Sequence, residues 1–499
     1  MLGAAVAHVG SPVTAIPDDA RVAVIGAGFG GLCIAVALRE AGCTSFVVFE
    51  KAGEVGGIWR DNTYPGCGCD VPSHLYSYSF EKYRSPDVRF PGQPQILDYL
   101  RNVADKYELR GHLRTSTEIV AAEYAEETAS WTLTTEAGER MVFDVVISAV
   151  GQLHRPHVPV IAGQESFAGH AFHTTGWDHA LDLTGKDVAV IGTGSSAAQL
   201  LPIVAERARH VDVYQRTPNW VIPKPKTEFG RVTRWALGRV PALHDVVRAG
   251  TYLAADLALS PVISRGWSFR PARWAALVHL RRQVPQAELR RRLVPSYPIG
   301  CKRIVIDNGF YPALTRPNVD LVTDGIERIT PGGLRTGTGA QRRADVIVYA
   351  TGFRATEFLV PMKVVGRDGR SLGDQWSEGA EAYYGMAVPG FPNFFLLHGP
   401  NTILGHNSNV FMIECQVRYI MKCLRLLPGA VEVTEAAMAG YDRWLARRMR
   451  RTVWPAGCLS WYKTPTGRVT NPWPAATMRY WWATSRNPRP AFTRRTPGL

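Results

Sequence analysis

Two glycine-rich loops carry the plainest chemistry in this chain. Gly26-Ala-Gly28-Phe29-Gly-Gly31 is followed about 20 residues on by Glu50-Lys51, and Gly192-Thr-Gly194-Ser195-Ser196-Ala197 by Gln215-Arg216-Thr217. Glycines at these spacings let the backbone approach a pyrophosphate, and the N-terminus of a following helix stabilises its charge. Glu50 would accept hydrogen bonds from a ribose diol, and its carboxylate would repel a 2′-phosphate. The second loop puts neutral Gln215 where that acid would stand, with Arg216 and Thr217 beside it, a pair suited to a phosphate. The first site is therefore expected to take FAD and the second NADPH.

The elements that must hold these loops are legible around them. Arg21–Gly31 (RVAVIGAGFGG) reads as a buried strand entering a turn, with a helix over Leu32–Glu40, a stop at Gly42 and a second strand at Phe46–Phe49. DVVISAVG at Asp144–Gly151 and DVIVYATG at Asp345–Gly352 are near-repeats, each closing a unit that opened on a strand and glycine loop. The expected fold class is α/β, with two Rossmann-like dinucleotide-binding domains and a helical insertion in the NADPH domain. The expected boundaries are an FAD domain over 19–152 and 385–490, an NADPH domain over 153–221 and 299–384, an insertion over 222–298 and a tail over 491–499. Helices are expected at Leu97–Leu109 and Glu414–Leu427, and an antiparallel meander over 118–143 with turns near Glu127 and Glu136. Arg265–Arg292 reads as an amphipathic helix with Trp274, Leu277, Val278 and Leu280 on one side. The tail from about Ser485 is expected to fray.

Composition bounds the function. The 499 residues are 46% hydrophobic and 20% charged, a globular balance with room for two or three domains. The net charge of +14 raises nucleic acid or an anionic membrane as partners, but the arginine-rich stretches read as solvated helix faces and no nucleic-acid motif accompanies them. No apolar run is expected to reach the ~18 residues of a membrane span, since Asp256 interrupts Tyr252–Ser264. MLGAAVAHVGSP lacks the pattern of a signal peptide, so a cytoplasmic protein is expected, with its eight scattered cysteines as reduced thiols.

Between the glycine loops lies FAGHAFHTTGWD, residues 167–178, a polar and aromatic connector too glycine-rich for a stable helix. Zinc binding by His170, His173 and His179 is disfavoured, because no cysteine or carboxylate completes a ligand spacing. Phe167, Gly169, His173, Trp177 and Asp178 match F-x-G-x-x-x-H-x-x-x-W-[P/D], the fingerprint of type I Baeyer–Villiger monooxygenases, and the chain resembles that family over nearly its whole length. Gly56-Gly57-Ile-Trp59 through Tyr64-Pro65-Gly66 to Asp70 reads as an ordered loop and is similar to the segment that lines the flavin in flavin monooxygenases. The resemblance adds Tyr76 and the Ser460-Trp461-Tyr462 stretch to the cofactor surroundings, with Trp461 as the cofactor-facing residue. It likewise makes Tyr384-Gly385, Gly390–Asn393 and His398–His406 flavin-side loops. In Lys302-Arg303 it implies a lysine on the NADPH 2′-phosphate and an arginine facing the flavin.

The implied reaction is oxygen insertion beside a ketone carbonyl, giving an ester or lactone through a flavin C4a-peroxide made from O₂ with NADPH as reductant. Such a reaction needs a permanent cation where negative charge develops. Arg303 suits this, because a guanidinium keeps its proton, and Asp70 would orient it. The expected partners are a small-molecule ketone and O₂, with no nucleic acid, membrane or metal. The alternative within the same chemistry is oxygenation of nitrogen or sulfur, whose enzymes typically lack Trp177-Asp178 and the Lys302-Arg303 pair. A disulfide reductase is disfavoured by the absence of CxxxxC after the first domain, and a serine hydrolase because Gly192-Thr-Gly194-Ser195 is out of register for GxSxG. A non-catalytic NADPH-binding protein would be colourless, whereas a flavoenzyme is yellow.

Overall fold

The computed structural model describes residue 17 and residues 19–83, 88–225 and 229–495; the N-terminal MLGAAVAHVGSP stretch lies outside them. Val22–Ile25 is buried at all four positions and forms the middle of a five-stranded parallel sheet, flanked by Phe46–Phe49 and Val145–Ser148. Continuous valine and isoleucine suit a strand covered on both faces. Leu113–Arg114 and Phe394–Leu396 complete the edges. The second sheet repeats the plan. Asp187–Ile191 is central, His210–Tyr214 and Val346–Tyr349 flank it, and Val319–Val322 and His170–His173 form the edges, all parallel.

The near-repeat closing each unit now has a steric reason. Gly26 holds φ at +104°, and a Cβ there would stand 2.7 Å from the Ala149 carbonyl oxygen. Gly192 holds φ at +115°, with the Ala350 carbonyl oxygen 2.4 Å from the same imaginary atom. Each loop thus presses on the small-residue end of its own DVV-type strand, where only glycine fits.

The meander appears as Ile119–Ala125, Ser130–Thr135 and Arg140–Phe143, antiparallel in that order. A second three-stranded meander, over Ile326–Thr330, Gly333–Thr336 and Gln341–Arg343, has no counterpart among the sequence expectations. The chain then returns to the first unit, because Lys363–Val365 joins the first meander and Phe394–Leu396 the first sheet.

Several expectations are corrected. The first helix begins at Phe29, inside the glycine loop, rather than at Leu32. The next long helix is Gln93–Lys106 rather than 97–109, with a proline in its first turn, where no donor is needed. Residues 167–178 are not a free connector: His170–His173 is the edge strand of the second sheet, registered on Val346–Tyr349. Arg265–Arg292 is two helices, Phe269–Gln283 and Ala287–Leu293, because Pro285 lacks the N–H that continuation needs. Trp274, expected on the apolar side, is exposed, and the buried face is Ala276, His279 and Leu280. The helix read as Glu414–Leu427 is Asn409–Leu424, and it is buried on almost every side rather than amphipathic. The tail does not fray at Ser485: Phe492–Arg495 pairs antiparallel with Ala430–Val433.

Cys301 and Cys458 form a disulfide across 157 residues of sequence, and only the other six cysteines remain thiols. No spacing rule links such distant cysteines; only folding of the 301 loop against the 458 loop brings them together. Pro241–Ile263 is a 23-residue helix, and its Leu243–Ile263 portion is apolar and long enough to cross a membrane by length and composition. Asp256 does not interrupt it, because its carboxylate accepts the Thr477 backbone N–H at 2.8 Å on the protein side of the helix.

Candidate active site at the junction of the two units

The first glycine loop opens the Phe29–Glu40 helix with no side-chain cap on its leading N–H groups. Gly57 approaches so closely that a Cβ on it would lie 3.3 Å from the Gly28 Cα. Two side-chain-free strips of backbone at an uncapped helix start fit a pyrophosphate. Glu50 is buried at the end of its strand. Its Oε2 accepts the Ala27 N–H at 2.9 Å, and its Oε1 accepts the Ala52 N–H and Arg60 Nη1, both at 3.0 Å. Lys51 is exposed. The second helix, Ser195–Arg207, likewise starts uncapped after Gly194, whose surroundings are open, and Ser195 and Ser196 are its first residues.

The flavin-type loop packs as an aromatic cluster. Trp59 donates its indole N–H to the Tyr76 hydroxyl at 2.9 Å, and Phe29 meets the Tyr76 ring edge-on at 5.0 Å. Burial pushes the Tyr76 phenol far above its ordinary range, so it is a neutral donor. Farther along, the loop docks on the second unit. Gly66 would carry a Cβ 2.4 Å from the Gln199 carbonyl oxygen, Tyr64 donates to Gln199 Oε1 at 2.8 Å, and Gln199 donates to the Gly68 carbonyl at 2.9 Å. Gln199 was not identified from sequence, where a lone helical glutamine carries no signal.

Lys302 and Arg303 part company at this junction. Lys302 reaches the second unit and donates to Thr217 Oγ1 at 2.5 Å. Burial, helped by the neighbouring Arg216, pushes its ammonium down to about 8. A desolvated cation beside a second cation fits a site built for a phosphate. Arg303 turns to the first unit and donates from Nη2 to both Asp70 oxygens, at 2.6 and 2.8 Å. The Asp70 carboxylate holds the guanidinium above its already high range. Its side chain keeps 30% of its surface exposed, so it can still meet a ligand.

Tyr462 lies close enough to Arg303 and Asp70 to feel both charges. Burial pushes its phenol up to about 12, with Arg303 opposing. The sequence singled out Trp461 in this stretch. Trp461 is half-buried with its ring 4.4 Å from that of Tyr462, and it is Tyr462 that is fully enclosed. The Cys301–Cys458 bond ties this loop to the residue preceding Lys302.

The fingerprint residues lie on and beside the edge strand His170–His173 and share none of the hydrogen bonds of Arg303. His173 is buried; its Nδ1 accepts the Thr175 N–H at 3.2 Å, so Nε2–H donates to the Gly352 carbonyl at 3.0 Å. Burial keeps the ring below the usual histidine range, hence neutral at pH 7. A Cβ on Gly169 would strike the Asp345 carbonyl oxygen at 2.3 Å and the Phe167 ring at 2.7 Å. Trp177 packs edge-on to Phe172 at 5.3 Å, and Asp178 accepts the Ala180 N–H at 2.9 Å. His179 meets Thr63 of the flavin-type loop at 2.8 Å.

Residues 19–231 match the family described as flavin-binding monooxygenase-like. The chain is 41% identical over 480 residues to a Baeyer–Villiger monooxygenase of Pseudomonas aeruginosa, covering 94% of this chain and 90% of that one. It is 42% identical over 478 residues to a Baeyer–Villiger monooxygenase of Streptomyces coelicolor, covering 93% and 91%. A solved structure of OTEMO in complex with FAD and NADP is similar with a TM-score of 0.85 at 27% identity, over 96% of this chain and all of the other.

Proposed function

The chain belongs to the Baeyer–Villiger monooxygenase family, and from that membership we propose how its own residues carry the reaction. The enzyme is FAD-dependent, consumes NADPH and O₂, and inserts oxygen next to a ketone carbonyl to give an ester or lactone. Bound FAD, reduced by NADPH, supplies the activated oxygen. The protein supplies position and charge. Arg303 sets a permanent cation where negative charge develops on the substrate carbonyl, and Asp70 fixes the fork of that guanidinium. Lys302, Arg216 and Thr217 hold the coenzyme 2′-phosphate. Gly26, Gly28, Gly31 and Gly57 leave room for the FAD pyrophosphate, and Gly192, Gly194, Ser195 and Ser196 for that of NADPH. Phe29, Trp59, Tyr76 and Trp461 exclude water from the flavin surroundings, which protects the activated oxygen from wasteful decay. Lys51 adds positive charge at the FAD end.

The observation that carries this reading is the divergence of two adjacent cations, Lys302 towards Thr217 and Arg303 towards Asp70. It supports a loop that serves coenzyme and flavin at once. Because Lys363–Val365 pairs with the first meander, ahead of the expected return at 385, the proposed division is an FAD unit, 19–152 with 363 through Arg495, and an NADPH unit, 153–221 with 299–362, interrupted by a helical insertion over 222–298. Burial of both disulfide sulfurs is compatible with a cytoplasmic enzyme, since access governs thiol exchange. The test is a panel of cyclic, aryl and linear ketones with NADPH and ¹⁸O₂. One labelled oxygen in an ester or lactone is expected; label found only in N-oxides or sulfoxides of a parallel amine and sulfide panel would reject the reading.

Glu50 is proposed to serve FAD and not the chemistry. Glu50→Ala removes a carboxylate that also holds Arg60 and the Ala27 N–H, so it is expected to lose flavin on dilution and regain activity with added FAD. Ultrafiltration at nanomolar protein measures this, and a flavin-free filtrate would contradict it. His173 is proposed to couple the two units through Gly352. Losing its buried hydrogen bonds costs about 1–3 kcal/mol, so His173→Ala is expected to turn over on the order of 10-fold more slowly and to release more H₂O₂ per NADPH, with FAD still bound. Unchanged ester yield per NADPH and unchanged rate would remove the coupling role.

A further inference from the structure

The Pro241–Ile263 helix is amphipathic the wrong way round. Its inward face carries His244, Arg248, Tyr252 and Asp256, all buried. Arg248 donates to the His74 carbonyl at 2.7 Å, to Ser77 Oγ at 3.2 Å and to the Ser77 carbonyl at 3.1 Å. Asp256 takes the Thr477 N–H and lies 3.4 Å from His406. At helical spacing on the opposite side stand Val246, Gly250, Leu253 and Leu257. Val246, Leu253 and Leu257 are 65%, 39% and 59% exposed. A helix on a water-facing surface ordinarily buries such a stripe, and a contiguous exposed one marks a contact surface.

The ends of the helix show what would cover it. Before its start the Arg239 guanidinium lies 5.0 Å over the Trp235 ring, and after its end come Arg265 and Trp267. Trp235 and Trp267 are 59% and 70% exposed. Arg231, Arg239 and Arg265 are exposed, and among the described residues none of them is paired with a carboxylate. Asp245, an exposed acid on this helix, is engaged by Lys82 at 2.5 Å. Tryptophan and arginine flanking an apolar strip are the composition of a helix lying at a membrane–water boundary, with the rings among headgroups and the cations on anionic lipid.

We propose that this face docks the enzyme on an anionic phospholipid surface, with the helix, about 34 Å long, lying in the plane of the interface. Spanning is excluded by the inward face, because a span would carry Arg248 and Asp256 into hydrocarbon and break their hydrogen bonds. A second copy is the poorer occupant. Two-fold pairing of this helix with itself sets arginines against arginines, whether the helices run parallel or antiparallel. The net charge of +14 adds long-range attraction of the same sign. The sequence alone suggested no membrane partner, because the residue that argued against a span, Asp256, turns out to face the protein.

The test uses full-length holoenzyme sedimented with vesicles of phosphatidylcholine, with and without phosphatidylglycerol. Binding is expected only with phosphatidylglycerol, and it should fall as salt is raised. It should fall about 10-fold or more in the Leu253→Glu, Leu257→Glu double variant and in the Arg231→Glu, Arg239→Glu, Arg265→Glu triple variant. Their NADPH oxidation rates in solution should match the parent, which verifies folding. Failure to sediment with phosphatidylglycerol vesicles, or undiminished binding by both variants, would overturn the proposal. A two-chain mass in solution that the leucine variant reduces to one chain would also overturn it, assigning the face to a second copy.

Discussion

Arg303→Ala is expected to bind FAD, to oxidise NADPH, and to make hydrogen peroxide with almost no ester. Removing a preorganised cation from a site of developing negative charge costs about 10²–10³ in rate, and the lost rate should appear in the oxygen-insertion step. The structure sharpens this expectation. Arg303 is the partner that answers Asp70 at 2.6 and 2.8 Å, and the Asp70 side chain is only 12% exposed. Its removal leaves a nearly buried carboxylate unanswered, so a thermal melt must accompany the assay. Arg303→Lys serves as the control: it restores charge without the planar guanidinium and its further N–H donors and should recover part of the ester yield. Asp70→Ala should be milder, since Arg303 keeps its charge and loses only its orientation. The two losses should be non-additive, because the residues act as one unit. If Arg303→Ala formed ester at saturating NADPH with only a raised KM, the arginine would belong to coenzyme binding, and that would falsify the catalytic assignment.

Arg216→Ala is expected to weaken NADPH about 10- to 100-fold, the effect of losing one charge-assisted contact of roughly 1.5–3 kcal/mol, and to leave NADH nearly unchanged. The electrostatics add a pH signature. Lys302 is held down to about 8 by burial and by Arg216, and only its charged form attracts a phosphate. NADPH affinity should therefore be full below pH 8 and fall as pH rises through it, while NADH affinity stays flat. A bound phosphate favours the ammonium, so NADPH binding above pH 8 should take up a proton. In Arg216→Ala the repulsion on Lys302 is gone, and the fall should move to higher pH. Equal losses for both coenzymes, or a fall with pH shared by NADH, would sink the phosphate assignment.

By itself the sequence determined the local units. The glycine loops, the strands that carry them and the pair DVVISAVG and DVIVYATG were legible because strand, tight turn and helix are encoded within about 30 residues of each other. The FAD and NADPH preferences were legible too, since Glu50 against Gln215-Arg216 is a difference of charge at an equivalent strand end. Tertiary structure alone decided everything that depends on which distant segments meet. It turned Lys302 and Arg303, adjacent in sequence, towards different units. It enclosed Tyr462 beside Arg303, and it joined Cys301 to Cys458. It made residues 170–173 an edge strand, because Val346–Tyr349 offers a free row of backbone groups that local composition cannot anticipate. It also set the orientation of the Pro241–Ile263 helix. Periodicity gives two faces but not which one meets the core, and here the hydrogen bonds of Arg248 and Asp256 hold the polar face inward and leave Val246, Leu253 and Leu257 outside.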